Sequence, residues 1–135
     1  MAFRAVRRHG ASGELVLKGP YTVKSGETLT QGMIVKLTSG EVEPADAGDA
    51  FAGWADDDYA AADTDCYIYD VDTVMEVVDA YARIDGAAID VASGSQSIEA
   101  TTKTNYDLVI VASSSATEKT EVVIHPKNTI YYVAS

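Results

Sequence analysis

Tyr106–Val133 reads YDLVIVASSSATEKTEVVIHPKNTIYYV. Three runs within it, Tyr106 to Val111, Glu121 to Ile124 and Thr129 to Val133, are dominated by Val, Ile, Thr and Tyr. Those residues fit a pleated, half-buried surface. Ser113-Ser114-Ser115 and Pro126-Lys127-Asn128 separate the runs and read as turns. The same texture recurs upstream, at Tyr21 to Lys24, Met33 to Leu37, Glu41 to Glu43, Ala50 to Trp54, Cys66 to Tyr69, Thr73 to Val78 and Ala88 to Val91. Ser25-Gly26, Thr38-Ser39-Gly40 and Ser93-Gly94 punctuate it. Asp79 to Ile84 is ambiguous between helix and strand until Gly86 breaks it. Asp56-Asp57-Asp58 ahead of Tyr59-Ala60-Ala61-Ala62 predicts the first turns of a short helix, because carboxylates favour a helix N-terminus. The spacing predicts eight to ten short strands and at most two short helices. The fold class is all-β, or mainly β with one or two short helices, as a compact β-sandwich or β-barrel. Residues 1–19 contain Gly10, Gly13 and Gly19 and keep no period. They read as an extended N-terminal arm, with 1–18 lacking regular structure, ahead of a single β-rich domain over 20–135.

The chain has 135 residues, long enough for one domain with a real core. Its apolar runs reach only four or five residues, as at Leu108–Ala112, against the roughly 20 that a membrane span requires. Arg4, Arg7 and Arg8 precede no apolar run of about 7–15 residues, so no secretory signal is expected. Formal charge is −11, and it is unevenly spread. Residues 1–24 carry +4, whereas 41–90 hold 15 acids against Arg83 alone. An acidic body argues against gripping nucleic acid or anionic lipid. The basic N-terminus suits an acidic partner, or simple solvation.

Little in the chain concentrates chemistry. Cys66 is the only cysteine, which excludes an intrachain disulfide and a multi-cysteine zinc site. It lies in a strand-like run and reads as a buried structural thiol rather than a nucleophile. His9 and His125 are the only histidines. Asp56, Asp57, Asp58, Asp63 and Asp65 would offer calcium the hard oxygens it takes, but their spacing departs from the EF-hand loop. An acidic solvated face is the favoured reading. Neither glycine-rich phosphate loop pattern occurs. The tyrosines are spread over many strands and suit core and interface more than a sugar-stacking platform. The expectation is therefore no enzyme, no metal and no cofactor.

Tyr21 to Leu29 looks like the opening of a LysM module, but Gln31 to Val35 then turns back into a strand where that module enters a helix. A longer likeness runs from Lys24 to about Val91. Its parts are Ser25-Gly26-Glu27-Thr28-Leu29-Thr30-Gln31-Gly32, Ile34-Val35-Lys36-Leu37, Gly40-Glu41-Val42-Glu43-Pro44-Ala45-Asp46-Ala47 and Phe51-Ala52-Gly53-Trp54. This stretch resembles the decoration, or cement, proteins of tailed-virus (bacteriophage-like) capsids. The resemblance implies a β-rich body, often a homotrimer, that binds the major capsid protein on the capsid exterior and stabilises the shell. It implies a virion location, after the host cytoplasm before assembly. On that reading the arm makes the capsid contact through Phe3, Arg4, Arg7 and Arg8, with Phe3 as apolar anchor. Tyr131 and Tyr132 are the candidates for the contact between subunits. The alternative is a β-rich binding module for glycan or calcium-dependent surface attachment.

Overall fold

The computed structural model describes residues 3–10, 14–79, 81 and 83–131. Among them are ten strands: β1 (Arg4–Arg8), β2 (Leu17–Val23), β3 (Ile34–Thr38), β4 (Glu41–Pro44), β5 (Gly53–Ala55), β6 (Cys66–Tyr69), β7 (Thr73–Val78), β8 (Ala88–Ile89), β9 (Leu108–Ser114) and β10 (Lys119–Ile124). The expected all-β class is the observed one. Strands β2 to β6 close a small barrel in the order β2-β4-β3-β5-β6. Its one parallel pair, β2 with β4, sets Thr22 opposite Glu41 and Val23 opposite Val42. The remaining strands form an open five-stranded sheet, β1-β7-β10-β9-β8.

Period-two alternation explains how the two parts join. Successive side chains of a strand point to opposite faces. On β3 and β5, Val35 and Ala55 enter the barrel with Val23, Val42, Cys66 and Ile68. Their neighbours Ile34 and Trp54 leave the barrel wall and pack with Met75, Val77, Leu108, Ile110 and Val122 on the inner face of the sheet. All of β5 is buried, on both faces. It has room there because Gly53 has no Cβ: at φ +152° an added one would collide with the carbonyl oxygen of Tyr69 across the β5–β6 pair. The barrel and the sheet thus share a core.

Three expectations are corrected. Residues 1–18 are not a structureless arm: β1 pairs antiparallel with β7, from Arg4 opposite Glu76 to Arg8 opposite Thr73, and Leu17 and Lys18 already belong to β2. The physical reason is nonlocal. The edge of β7 offers a ladder that the local sequence cannot reveal, and a bulge at Val6 absorbs the irregular pattern. No helix forms at 56–62. Asp57 and Asp63 accept from the backbone N–H groups of Asp58 and Ala60, which favours turns over a helix. Thr129 makes only an isolated bridge to Phe51, after a 3-10 turn at Pro126–Asn128. The rest of the strand expected at 129–133 includes Tyr132 and Val133, outside the described residues.

Candidate functional site

The outer face of the five-stranded sheet holds two of the sequence-predicted contact residues, Arg4 and Arg7. The bulge at Val6 interrupts the alternation of β1, so Arg4 and Arg7, three positions apart, both face outward. Each meets a carboxylate on a strand far away in sequence. Arg4 donates to Glu76 at 2.8 Å, and Lys119 approaches the same carboxylate at 3.5 Å. Arg7 makes a two-bond fork to Glu121, at 3.0 and 2.8 Å. Arg8 donates to one oxygen of Asp72 at 2.7 Å, and the other Asp72 oxygen is buried without a partner. The hydrogen bond from Arg4, aided by Lys119, holds the Glu76 carboxyl below its usual pKa against a smaller opposing effect of burial. These pairs fasten β1 to its neighbours and give the sheet a patterned surface of alternating sign.

Phe3 is not an exposed anchor. It is 3% exposed and packs on Trp54, ring centroids 4.7 Å apart and planes tilted by 60°. An aromatic buried in the shared core is unavailable to any partner, which corrects the role expected for it. Arg4 remains open, at 67% side-chain exposure, with Arg7 less so.

Beyond the charged pairs, at the end of the same face, lies an apolar groove of about 450 Å³. Val71, Val109, Val123 and Pro126 wall it, and His9 and Asp72 rim it. Sequence reading missed this groove, because its walls come from three separated segments. The one local signal was that β9 and β10 are apolar at consecutive positions, where a sheet with one wet face would alternate.

Tyr131 is exposed at the opposite end of the chain from β1 in sequence and lies over β2. Lys18 donates to its hydroxyl at 2.7 Å and sits 4.2 Å from its ring centre. Tyr132 lies outside the described residues.

The acids of 41–90 have structural roles in the loops. Asp49 accepts from the N–H of Asp46, Asp58 from Gln31, and Asp70 from Val71. Tyr59 donates to Asp56 at 2.5 Å and accepts from the N–H of Tyr67. Outside that stretch, buried Asp107 takes the N–H of Gly48 on one oxygen and that of Val91 on the other. Burial raises its pKa, and those two bonds lower it less. A carboxylate is an acceptor on both oxygens, so it can close tight loops that present only N–H groups. Among the described residues, no three His, Cys, Asp or Glu side chains are placed to hold a metal ion. Cys66 is fully buried in the barrel core, and burial, reinforced by nearby Asp56, pushes its thiol up to about 12. A thiol so shifted holds almost no thiolate at neutral pH.

No protein-family model matches this chain, and no curated protein matches its sequence.

Proposed function

We propose that the protein is a structural virion protein, a decoration or cement protein that binds the outside of a tailed-virus capsid shell and stabilises it. Its partner is the major capsid protein, and it acts as a homotrimer. The observation that supports this reading is the way the resembling segment folds. The Ser25-Gly26 turn, β3, β4 and Phe51 to Trp54 form one contiguous barrel unit, and Gly53 in that segment is demanded by close backbone approach. A barrel and a sheet locked through a common core make a stiff body, which suits a part that must hold a lattice under load.

Attachment on this reading does not use Phe3. It uses the outer sheet face, where Arg4 and Arg7 exchange their present carboxylate partners for acidic groups on the shell. Exposed pairs of this kind contribute only about 0–1 kcal/mol each, so exchanging them costs little. The test is co-sedimentation with shells assembled from the major capsid protein of the same genome. Saturable binding, together with shells that survive higher temperature, is the expected result. Protein that stays in the supernatant at every concentration overturns the proposal.

A further inference from the structure

Tyr106, just ahead of β9, holds a backbone conformation that a tyrosine rarely adopts. Its φ is +53°, in the left-handed region where bulky side chains are outliers. The residues around it fix that geometry. The N–H of Asn105 donates to both oxygens of buried Asp90, at 3.0 and 3.1 Å. On the other side, Asp107 is buried with its carboxylate bound to the N–H groups of Gly48 and Val91. The Asn128 side chain donates to the carbonyls of Tyr106 and Asn105, at 2.6 and 3.0 Å. Glycine or asparagine would meet the same φ with less strain. Backbone strain of this kind clusters at ligand sites, and here it displays an aromatic side chain that is 54% exposed.

Tyr106 lines a pocket of about 340 Å³ together with Asn105, His125, Lys127 and Asn128. The backbone N–H of Lys127 donates to Nδ1 of His125 at 3.1 Å, so the proton of the neutral imidazole sits on Nε2 as a donor. Among the described residues, that donor has no hydrogen-bond partner and the exposed Lys127 ammonium has no ion-pair partner. The chain holds 21 Asp and Glu, and none of them lines this pocket. Its free polar groups therefore favour an anion. Among the described residues no Val, Leu, Ile or Met lines it either, unlike the groove on the outer sheet face. An aromatic face surrounded by polar side chains suits a hydroxylated ring, whose C–H face packs on the aromatic while its hydroxyls keep polar neighbours. We propose that this pocket binds an acidic saccharide unit, a hexuronate, with the sugar ring on the Tyr106 face and the carboxylate accepting from His125 Nε2–H and the Lys127 ammonium. This inference rests on the pocket and stands apart from the capsid reading. Shell co-sedimentation tests that reading separately, so either can fail alone.

Titration of the full chain with galacturonate and with glucuronate, followed by amide chemical shifts, provides the test. At least one of the two shifts the amides of residues 105–107 and 127–128 saturably, in the millimolar range. The matching neutral sugar, galactose or glucose, binds at least tenfold more weakly because it lacks the carboxylate. Acetate and inorganic phosphate bind at least tenfold more weakly because they lack the ring. Tyr106→Asn, which tolerates the positive φ, melts no lower than the parent and loses binding at least tenfold. Lys127→Met, at an exposed position, brings uronate binding down to that of the neutral sugar. The proposal is overturned if neither uronate shifts these amides up to about 100 mM. It is overturned equally if acetate or phosphate matches the uronate, which marks a simple anion spot, or if Tyr106→Asn or Lys127→Met binds like the parent.

Discussion

Replacing Phe3 by Ala separates a built-in N-terminal strand from a free arm. In the fold described above, Phe3 fills part of the core shared by barrel and sheet, against Trp54. Truncating a buried Phe costs about 3–5 kcal/mol, from lost transfer energy and the cavity left behind. Of that, about 0.5–1.5 kcal/mol belongs to the tilted aromatic pair itself. In a chain of 135 residues, each kcal/mol corresponds to roughly 3 °C in melting temperature, so the variant melts roughly 10–15 °C lower. Phe3→Leu, which keeps most of the buried volume, loses less than half as much. Thermal unfolding followed by far-UV circular dichroism reads both. If Phe3→Ala melts within 1–2 °C of the parent, roughly the shift of a surface substitution, Phe3 does not contribute to the core and the argument from burial fails. The same reasoning makes deletion of residues 2–18 a poor probe of partner binding. That deletion removes β1 and the start of β2, and it uncovers Val74 and Met75 on β7.

Gly53→Ala should lower stability by about 2–4 kcal/mol, from a positive φ and a Cβ driven into the Tyr69 carbonyl, whereas Gly26→Ala, with open space around it, costs only about 1 kcal/mol; urea midpoints at constant slope check both. Arg83→Met should cost about 3–5 kcal/mol by stranding the Asp79 charge, and the Asp79→Leu/Arg83→Met pair should cost less than the single change, a comparison made in a double-mutant cycle. The pH dependence has a definite sign. Burial raises the Asp79 pKa, but the bonds from Arg83 and Thr120 outweigh it and leave the group below its usual value. Its stabilisation is therefore complete above about pH 4 and is lost as pH falls through the folded-state value. Asp107, raised by burial, works in the opposite direction, since protonation relieves it in acid. Urea midpoints measured from neutral pH into acid should fall more steeply for the parent than for the Asp79→Leu/Arg83→Met variant, and parallel profiles would refute the assignment.

Local chemistry alone determined much of the strand map. Cys66–Tyr69 and Thr73–Val78 were legible to the residue, and β3, β4 and β10 nearly so, because β-branched and aromatic residues bounded by Gly, Ser and Asp turns are a short-range signal. The all-β class followed from those runs. Tertiary structure alone decided what each strand pairs with and which faces are buried. β1 carries three arginines and no alternation. It is a strand because the edge of β7, distant in sequence, offers it a ladder, and Glu76, Glu121 and Asp72 then accept its arginines. The expected helix at 56–62 gave way to turns, since Asp carboxylates that favour a helix start serve equally well as loop acceptors. The groove combines walls from β9 and β10 with Val71 and Pro126, and Arg83 reaches across to the carbonyls of Glu99 and Ala100. Propensity acts over a few neighbouring residues, whereas pairing, burial and ion-pair energies are set between residues tens of positions apart, and only the folded chain brings those together.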